Sequence, residues 1–422
     1  MNIKFLTLGC KVNQYETEAM QRLFELAGHS TIDAIDGADV IVINTCAVTA
    51  VAAQKSRQMI HRSARSGALI AVVGCYAQES PEEIDADVVI GTKDRNRIVE
   101  LVETAVERRD KISIVGDTDI NFEELPHIPS RTRAFIKIED GCDNRCSYCI
   151  IPTLRGTVRS RSLDGIRAEC AQLHELGFKE IVLTGIHLGA YGKDCGLNLL
   201  DAINAALESG RPERLRLSSI EATEVHDDLI ELLKSDRRLC RHLHLPLQSG
   251  CDEVLKGMRR PYSTKQFASL IERLAREVPD IALTTDLIVG FPGETDELFE
   301  RTIKFVEGLP LSKLHVFPYS VRPGTAAATM PDQIPSSIKK ERAARMIEIS
   351  NRKSAEYRRK FIGSTVEVLT ETLTDNVVDG LTDNYIRVFI EGEVPLGEMI
   401  DVKLVGLNGE GVDGRLVEKH DG

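Results

Sequence analysis

From residue 130 to residue 335 an apolar strand followed by an amphipathic helix recurs six times, and this repeat narrows the fold more than any other feature of the 422-residue chain. The strands read at "AFIKIED", "EIVLTG", "RLRLSSI", "RHLHLPL", "ALTTDLIVG" and "KLHVFPYS", with helices such as "LDGIRAECAQLHELG" and "TKQFASLIERLAREV" between them. Apolar strands joined by helical crossovers belong to a parallel sheet covered on both faces. Six such units make a barrel two units short of the usual eight, expected to be open along one side and to carry its chemistry at the carboxyl ends of its strands. Polar or small residues gather at those ends: Thr184 and Gly185, Ser218 and Glu221, Gln248 and Ser249, Asp286 and Gly290, and Tyr319.

Residues 1–125 carry a related pattern. "IKFLTL", "DVIVINT" and "LIAVVG" read as buried parallel strands, and "YETEAMQRLFELAG" and "AVTAVAAQKSRQMIHRSARSG" as helices between them, which is a parallel-sheet α/β domain. Each strand ends in a cysteine: Cys10, Cys46 and Cys75. Ligand sites in open parallel sheets form beyond the carboxyl ends of strands, so these three are expected to meet in space. One strand-end cysteine is most simply a buried residue. Three at equivalent positions suggest a shared site.

Two shorter segments complete the chain. Residues 336–362 read as a basic linker helix with Ser336 or Ser337 as N-cap. Residues 363–422 are short β-rich runs, "STVEVLTE", "YIRVFIEG", "EMIDVKLVGL" and "GRLVE", expected to form a small OB-like barrel. The fold class is therefore α/β, ending in a small β-barrel. That barrel is acidic, with only Arg387, Lys403, Arg415 and Lys419 basic from Gly363 onward.

No run approaches the eighteen or so apolar residues of a membrane span, and "MNIKFLTLGC" is too short an apolar run for a signal peptide, so a cytoplasmic location with no membrane partner is expected. Thiols stay reduced there, and the ten cysteines read as ligands or buried residues rather than disulfides. A net charge of -12 argues against a non-specific nucleic-acid coat while leaving room for local basic patches.

The stretch "GCDNRCSYC", residues 141 to 149, follows the first barrel strand and places Cys142, Cys146 and Cys149 in the spacing C-x3-C-x2-C. A structural zinc site needs four protein ligands, usually as paired C-x2-C. No second pair follows, and neither Asp143 nor His174 is convincingly placed to complete one. Three thiolates on a four-iron cluster leave one iron open to a substrate or cofactor.

That motif, with Tyr148 before its third cysteine and at the end of the first barrel strand, resembles the signature of radical S-adenosylmethionine (SAM) enzymes. With Cys10, Cys46 and Cys75 ahead of the barrel and a terminal domain of the kind called TRAM, the whole chain resembles the methylthiotransferases, which replace C-H by C-S-CH3. The resemblance implies two 4Fe-4S clusters, one on Cys142, Cys146 and Cys149 that cleaves SAM to a 5'-deoxyadenosyl radical, and an auxiliary one on Cys10, Cys46 and Cys75 that carries the sulfur. It implies that Thr184 and Gly185 receive the methionine amino group, that Ser218 and Glu221 meet the ribose or methionine, and that Gly290 lets backbone approach the adenine. Tyr148 is grouped with these as cofactor-binding.

"TLGCKVNQYETEAM" resembles the branch acting on N6-threonylcarbamoyladenosine in tRNA, whereas the isopentenyladenosine branch usually opens with "GCQMN". The expected reaction is methylthiolation of C2 of threonylcarbamoylated adenosine 37. The expected partners are the tRNA anticodon stem-loop, an electron donor such as flavodoxin or ferredoxin, and a sulfur source. Arg155, Arg159 and Arg161 in "RGTVRSR", and Arg352, Lys353, Arg358 and Arg359 on the linker helix, are expected to hold phosphates. Tyr385 and Phe389 are candidates for base stacking, or for the core. Cys170, Cys195, Cys240 and Cys251 read as structural. The residues alone leave open the same chemistry on isopentenyladenosine, and a non-catalytic iron-sulfur or zinc protein that binds RNA.

Overall fold

The computed structural model describes residues 1–116, 118 and 121–417. The end of "GRLVE" and Lys419 therefore lie outside the described residues, as do three positions before the first barrel strand. The N-terminal part is one parallel sheet of β1 (Asn2–Thr7), β2 (Ser30–Ile32), β3 (Val40–Thr45), β4 (Leu69–Gly74), β5 (Val88–Ile90) and β6 (Ile112–Ile114), in the order β2-β1-β3-β4-β5-β6. β1, β3 and β4 are the three strands read from sequence. They lie side by side under helices on both faces, β3 and β4 as apolar runs and β1 as a run broken by Lys4. β2, β5 and β6 are three residues long and flank them, too short for a periodicity to register.

The middle of the chain forms β7 (Arg133–Lys137), a short antiparallel pair β8 (Glu139–Asp140) and β9 (Arg159–Ser160), then β10 (Glu180–Thr184), β11 (Arg214–Leu217), β12 (His242–His244), β13 (Ala282–Val289) and β14 (Lys313–Pro318). Two parallel sheets, β11-β10-β7 and β12-β13-β14, are joined by parallel bridges between Leu215 and Leu239 and between Ser219 and His244. The outcome is a six-stranded partial barrel around one continuous core.

Its open edges are not bare. Helix Lys11–Leu26 packs beside β7, and helix Ser336–Arg359 covers β14, where Ser350 Oγ accepts from Leu314 N at 3.0 Å and donates to Leu314 O at 2.8 Å. A serine thus occupies edge groups that a seventh strand would take. The helix starts at Ser336 as expected, but Pro335 holds the cap position and no side chain caps it.

β15 (Thr365–Thr374), β16 (Val377–Leu381), β17 (Arg387–Glu391), β18 (Met399–Asn408) and β19 (Gly411–Leu416) close into a barrel in the order β15-β16-β17-β19-β18. β16 escapes sequence reading because "VVDGL" has no strand alternation. Its Gly380 is required where an added Cβ would stand 2.4 Å from Leu369 O. This small barrel sits at the amino ends of the large barrel's strands. Arg214 donates to Leu381 O at 2.8 Å and Glu367 O at 2.7 Å, and Arg216 to Asp383 O at 2.8 Å.

Candidate active site between two cysteine trios

Cys46 and Cys75 stand directly after β3 and β4, and Cys10 follows β1 after Leu8 and Gly9, so three adjacent parallel strands deliver three thiols to one edge of the sheet. Gly9, at φ +115°, allows the tight approach: a Cβ there would meet Cys46 Cβ at 3.1 Å and Asn13 Nδ2 at 2.9 Å. Asn13 Nδ2 donates to Leu8 O at 2.8 Å and Thr45 O at 2.9 Å, and Asn44 Nδ2 returns to Asn13 O at 2.9 Å. Ser56 clamps the next turn, accepting from Cys46 N at 3.2 Å and donating to Cys46 O at 3.0 Å. These polar clamps were missed in the sequence, although an asparagine within a buried strand end, as in "VINTC", is the available signal. Burial pushes the Cys46 thiol up to about 11 and also raises Cys75, whose largest opposing influence is the Arg155 guanidinium.

The second trio lies in the loop leaving β8. Gly141, at φ +90°, permits the turn, since a Cβ there would lie 1.9 Å from Thr157 O. Cys142 N donates to Gly156 O at 3.0 Å, Cys149 N to Cys146 O at 3.1 Å, and Ser147 Oγ to Gly257 O at 2.8 Å, which fixes the loop against the next turns of the barrel. Two nitrogen-bearing side chains approach the thiols: Arg260 Nη1 is 3.2 Å from Cys146 Sγ, and His187 Nδ1 is 3.5 Å from Cys142 Sγ. Arg260 is itself ion-paired to Glu221 and donates to Tyr262 Oη at 3.0 Å. Burial pushes Cys142 up to about 12 and Cys149 up to about 11.

A donor set of three thiols with a guanidinium beside one sulfur suits a group that places negative charge on its sulfurs. Among the described residues no group of three or more His, Cys, Asp or Glu side chains is arranged to hold a single metal ion. The thiolates of a four-iron cluster each bond a different iron and stand farther apart than the ligands of one ion.

The rim residues expected around the cofactor fall into distinct settings. Tyr148 joins a buried cluster with Cys251, Met258, Phe291 and Tyr319. Thr184, Gly185 and Ser218 line a cavity of about 520 Å³ in the barrel lumen, which Cys10 and Lys11 reach from the N-terminal sheet. Among the described residues Ser218 Oγ has no hydrogen-bond partner. Glu221 lies on the other side, toward Cys146, through Arg260. Gly290, at φ +72°, faces Lys339, whose Cγ would be 2.4 Å from an added Cβ. The close neighbour there is therefore the linker helix.

The basic residues near the motif require correction. Arg155 is 1% exposed, and its guanidinium donates to Glu16 Oε1 at 2.9 Å, Asp140 Oδ1 at 3.0 Å and Asn13 Oδ1 at 3.2 Å. Arg161 is buried against Glu169, and Arg159 donates to the backbone oxygens of Arg155 at 2.7 Å and Thr157 at 2.9 Å. All three tie structure together instead of facing solvent phosphates. Arg358 likewise donates to Gly409 O at 2.9 Å and Gly411 O at 2.6 Å, and Lys353 to Glu307 O at 2.9 Å and Leu309 O at 2.7 Å. Arg352 and Arg359 are exposed, with Arg352 paired to Glu307. Tyr385 stacks on His242, ring centroids 4.6 Å apart, beneath Arg216, and so floors the lumen. Phe389 is half-buried. Cys170, Cys240 and Cys251 are buried and Cys195 is exposed.

A partial parallel barrel with a three-cysteine loop after its first strand is the architecture of radical SAM enzymes, and residues 136–306 match the model described as the radical SAM superfamily. Residues 2–91 match one described as Uncharacterized protein family UPF0004. The chain is 43% identical to the threonylcarbamoyladenosine tRNA methylthiotransferase MtaB of Bacillus subtilis, over 96% of this chain and 93% of that protein. It is 38% identical to the protein of the same name from Thermotoga maritima, over 97% and 96%, and 34% identical to the tRNA-2-methylthio-N(6)-dimethylallyladenosine synthase of Acetivibrio thermocellus, over 97% and 90%. The chain belongs to the radical SAM tRNA methylthiotransferase family. Membership of the superfamily implies SAM and a 4Fe-4S cluster. Among solved structures, the radical SAM methyltransferase TsrM of Kitasatospora setae, with cobalamin and a 4Fe-4S cluster bound, superposes at a TM-score of 0.57 with 14% identity, covering 78% of this chain and 74% of that one, a likeness of fold. No helix of the described residues is long and apolar enough to cross a membrane.

Proposed function

We propose that this enzyme methylthiolates C2 of N6-threonylcarbamoyladenosine at position 37 of tRNA, using two 4Fe-4S clusters. The observation that carries the reading is that Cys10, of the N-terminal trio, lines the same cavity as Thr184, Gly185 and Ser218 at the barrel rim. A base bound there lies against Cys10 and the barrel rim. Cys142, Cys146 and Cys149 would hold one cluster and Cys10, Cys46 and Cys75 the other. When bound, these clusters supply the electron that cleaves SAM and the sulfur that is inserted.

The chain's own residues prepare the site. Arg260 offsets negative charge on the barrel thiols, and His187 Nδ1 stands 3.5 Å from Cys142 Sγ. Thr184, Gly185, Glu221 and Tyr148 are the groups assigned to SAM; Ser218 faces the lumen and is left to the base, and the space beside Gly290 is taken by Lys339. Adenine C2 bears no acidic proton, so the positioned groups have no acid-base task at that carbon, and their work is orientation and exclusion of water. Position 37 lies in a single-stranded loop, where a base can be presented without melting a helix. The identity to two relatives named for threonylcarbamoyladenosine, 43% and 38%, against 34% for one named for dimethylallyladenosine, favours the former substrate. An electron donor such as flavodoxin or ferredoxin, a sulfur source and a cytoplasmic location complete the reading.

The test uses the anaerobically reconstituted protein with nucleoside mass analysis. Cys146→Ala is expected to form no 5'-deoxyadenosine. Cys46→Ala is expected to form 5'-deoxyadenosine but no methylthio product. Normal methylthiolation by Cys46→Ala would refute the two-cluster reading, and product only on isopentenylated tRNA would refute the substrate.

A further inference from the structure

The barrel lumen is lined mainly by apolar surface but holds a few polar groups that the fold does not use. At about 520 Å³ it falls within the range of small-molecule sites. Two of its lining groups, Ser218 Oγ and His242 Nδ1, belong to side chains more than nine-tenths buried and have no hydrogen-bond partner among the described residues. Buried polar atoms are normally paired, so unpaired ones lining a cavity mark places for ligand atoms. The charged side chains of the lining are mostly committed. Lys313 pairs with Glu410 at 3.1 Å, Arg387 with Asp379, and Arg358 with the carbonyls of Gly409 and Gly411. Lys11 is different. It enters the lumen next to Cys10, and among the described residues it forms no ion pair, its charged surroundings being Tyr385, Arg133, Arg216 and Glu180 at the floor of the lumen.

We propose that the lumen receives the N6 substituent of the target base and that Lys11 holds that substituent's carboxylate. This rests on the threonylcarbamoyl reading above and deepens it. A threonylcarbamoyl group presents a carboxylate, a hydroxyl and an amide, which match an ammonium, a hydroxyl and an imidazole nitrogen. An isopentenyl group presents none of them and would leave all three protein groups desolvated and unpaired. Sites built to hydrogen-bond a substrate reject analogues lacking the partner far more strongly than apolar pockets reject an extra group. Lys11 is thus a specificity residue, placed beside the trio at which sulfur insertion is proposed.

The experiment compares three anticodon stem-loop RNAs whose adenosine 37 carries threonylcarbamoyl with its free carboxylate, the corresponding carboxamide, or isopentenyl. Equilibrium binding to the full-length reconstituted protein is measured alongside product formation. Wild type is expected to bind the carboxylate about ten- to a hundredfold more tightly than the carboxamide. Lys11→Met is expected to erase that preference and Lys11→Arg to keep most of it. Equal wild-type affinity for the acid and the amide, or an undiminished preference in Lys11→Met, would overturn the role of Lys11. If Lys11→Met fails to assemble its clusters, the wild-type comparison of acid and amide still decides. Conversion of acid and amide alike would refute Lys11 and leave the threonylcarbamoyl substrate standing, whereas conversion of isopentenyl RNA alone would refute both.

Discussion

Arg155 follows the three-cysteine loop by six positions, yet its charge is spent inward. Together with Arg95 and Lys137 it surrounds Glu16 and Asp140: Arg95 Nη2 is 3.0 Å and Lys137 Nζ 2.9 Å from Glu16 Oε1, and Lys137 Nζ is 2.6 Å from Asp140 Oδ2. Burial alone would raise the Glu16 carboxyl, but Arg155, Arg95 and Lys137 outweigh it and hold it at about 2. Removing one partner of a buried ion network strands the others without water. Arg155→Ala is therefore expected to cost about 3–5 kcal/mol, read as a lowered unfolding midpoint. The loss should exceed that of an exposed change such as Arg359→Ala, which is expected to stay within about 0.5 kcal/mol. Equal midpoints would sink this account. "RGTVRSR" could not disclose the burial, because an arginine in a loop looks the same whether its acid partner is solvent-facing or, like Glu16, more than a hundred residues away on another element.

At the scale of elements, legibility followed length and period. Strands set in a clear apolar or alternating run and the helices between them stood out, and with them the strand ends that carry Cys10, Cys46 and Cys75. The three-residue β2, β5 and β6 and the glycine-bearing β16 did not, since pairing with neighbours, not their own pattern, makes them strands, whereas the equally short β12 was legible because "RHLHLPL" around it alternates. Helix Ser336–Arg359 is the instructive mixture. Its basic run was plain, but the sequence could not divide the run into the face that serves the fold and the face that meets solvent. Lys353 and Arg358 take backbone carbonyls as partners, whereas Lys340, Arg359 and Lys360 are exposed. Lys353→Ala should cost about 1–3 kcal/mol by leaving the carbonyls of Glu307 and Leu309 without their donor. Changing Lys340, Arg359 and Lys360 together to alanine should leave the midpoint nearly unmoved. It should also flatten the plot of log tRNA affinity against log salt by up to about 0.7–0.9 for each phosphate the helix no longer neutralises. An unchanged slope would mean that the helix is only a brace for β14.

Over the whole molecule, what the sequence hid is the joinery between units each legible alone, because those contacts bring together residues from different segments. One joint titrates. His127, in the segment between the N-terminal sheet and the barrel, is bound through Nε2 to Glu18 Oε2 at 3.0 Å and through Nδ1 to Glu169 Oε1 at 2.8 Å. Tyr15 stacks on it with ring centroids 4.2 Å apart, and Arg161 and Ser130 share its two carboxylates. Burial alone would lower the imidazole's affinity for protons, but hydrogen bonds to Glu169 and Glu18 outweigh that and raise it above its ordinary value near 6.5. Burial opposes ionisation of Glu18 and Glu169 as well, yet their partners leave both below the ordinary 4.5. A raised histidine contributes stability that is complete below its unfolded value and disappears as pH climbs through its folded value. Depressed carboxylates contribute above their unfolded value and lose it as pH falls through the folded one. The joint is therefore strongest between roughly the carboxylate and histidine ranges and weakens on the alkaline side first. The unfolding midpoint should decline as buffer pH is raised from about 6 to about 9, and His127→Gln, which keeps a polar side chain but cannot take a proton, should start lower and decline less. A wild-type midpoint flat across that range, or an equal slope in the variant, would remove His127 as the charged link between sheet and barrel.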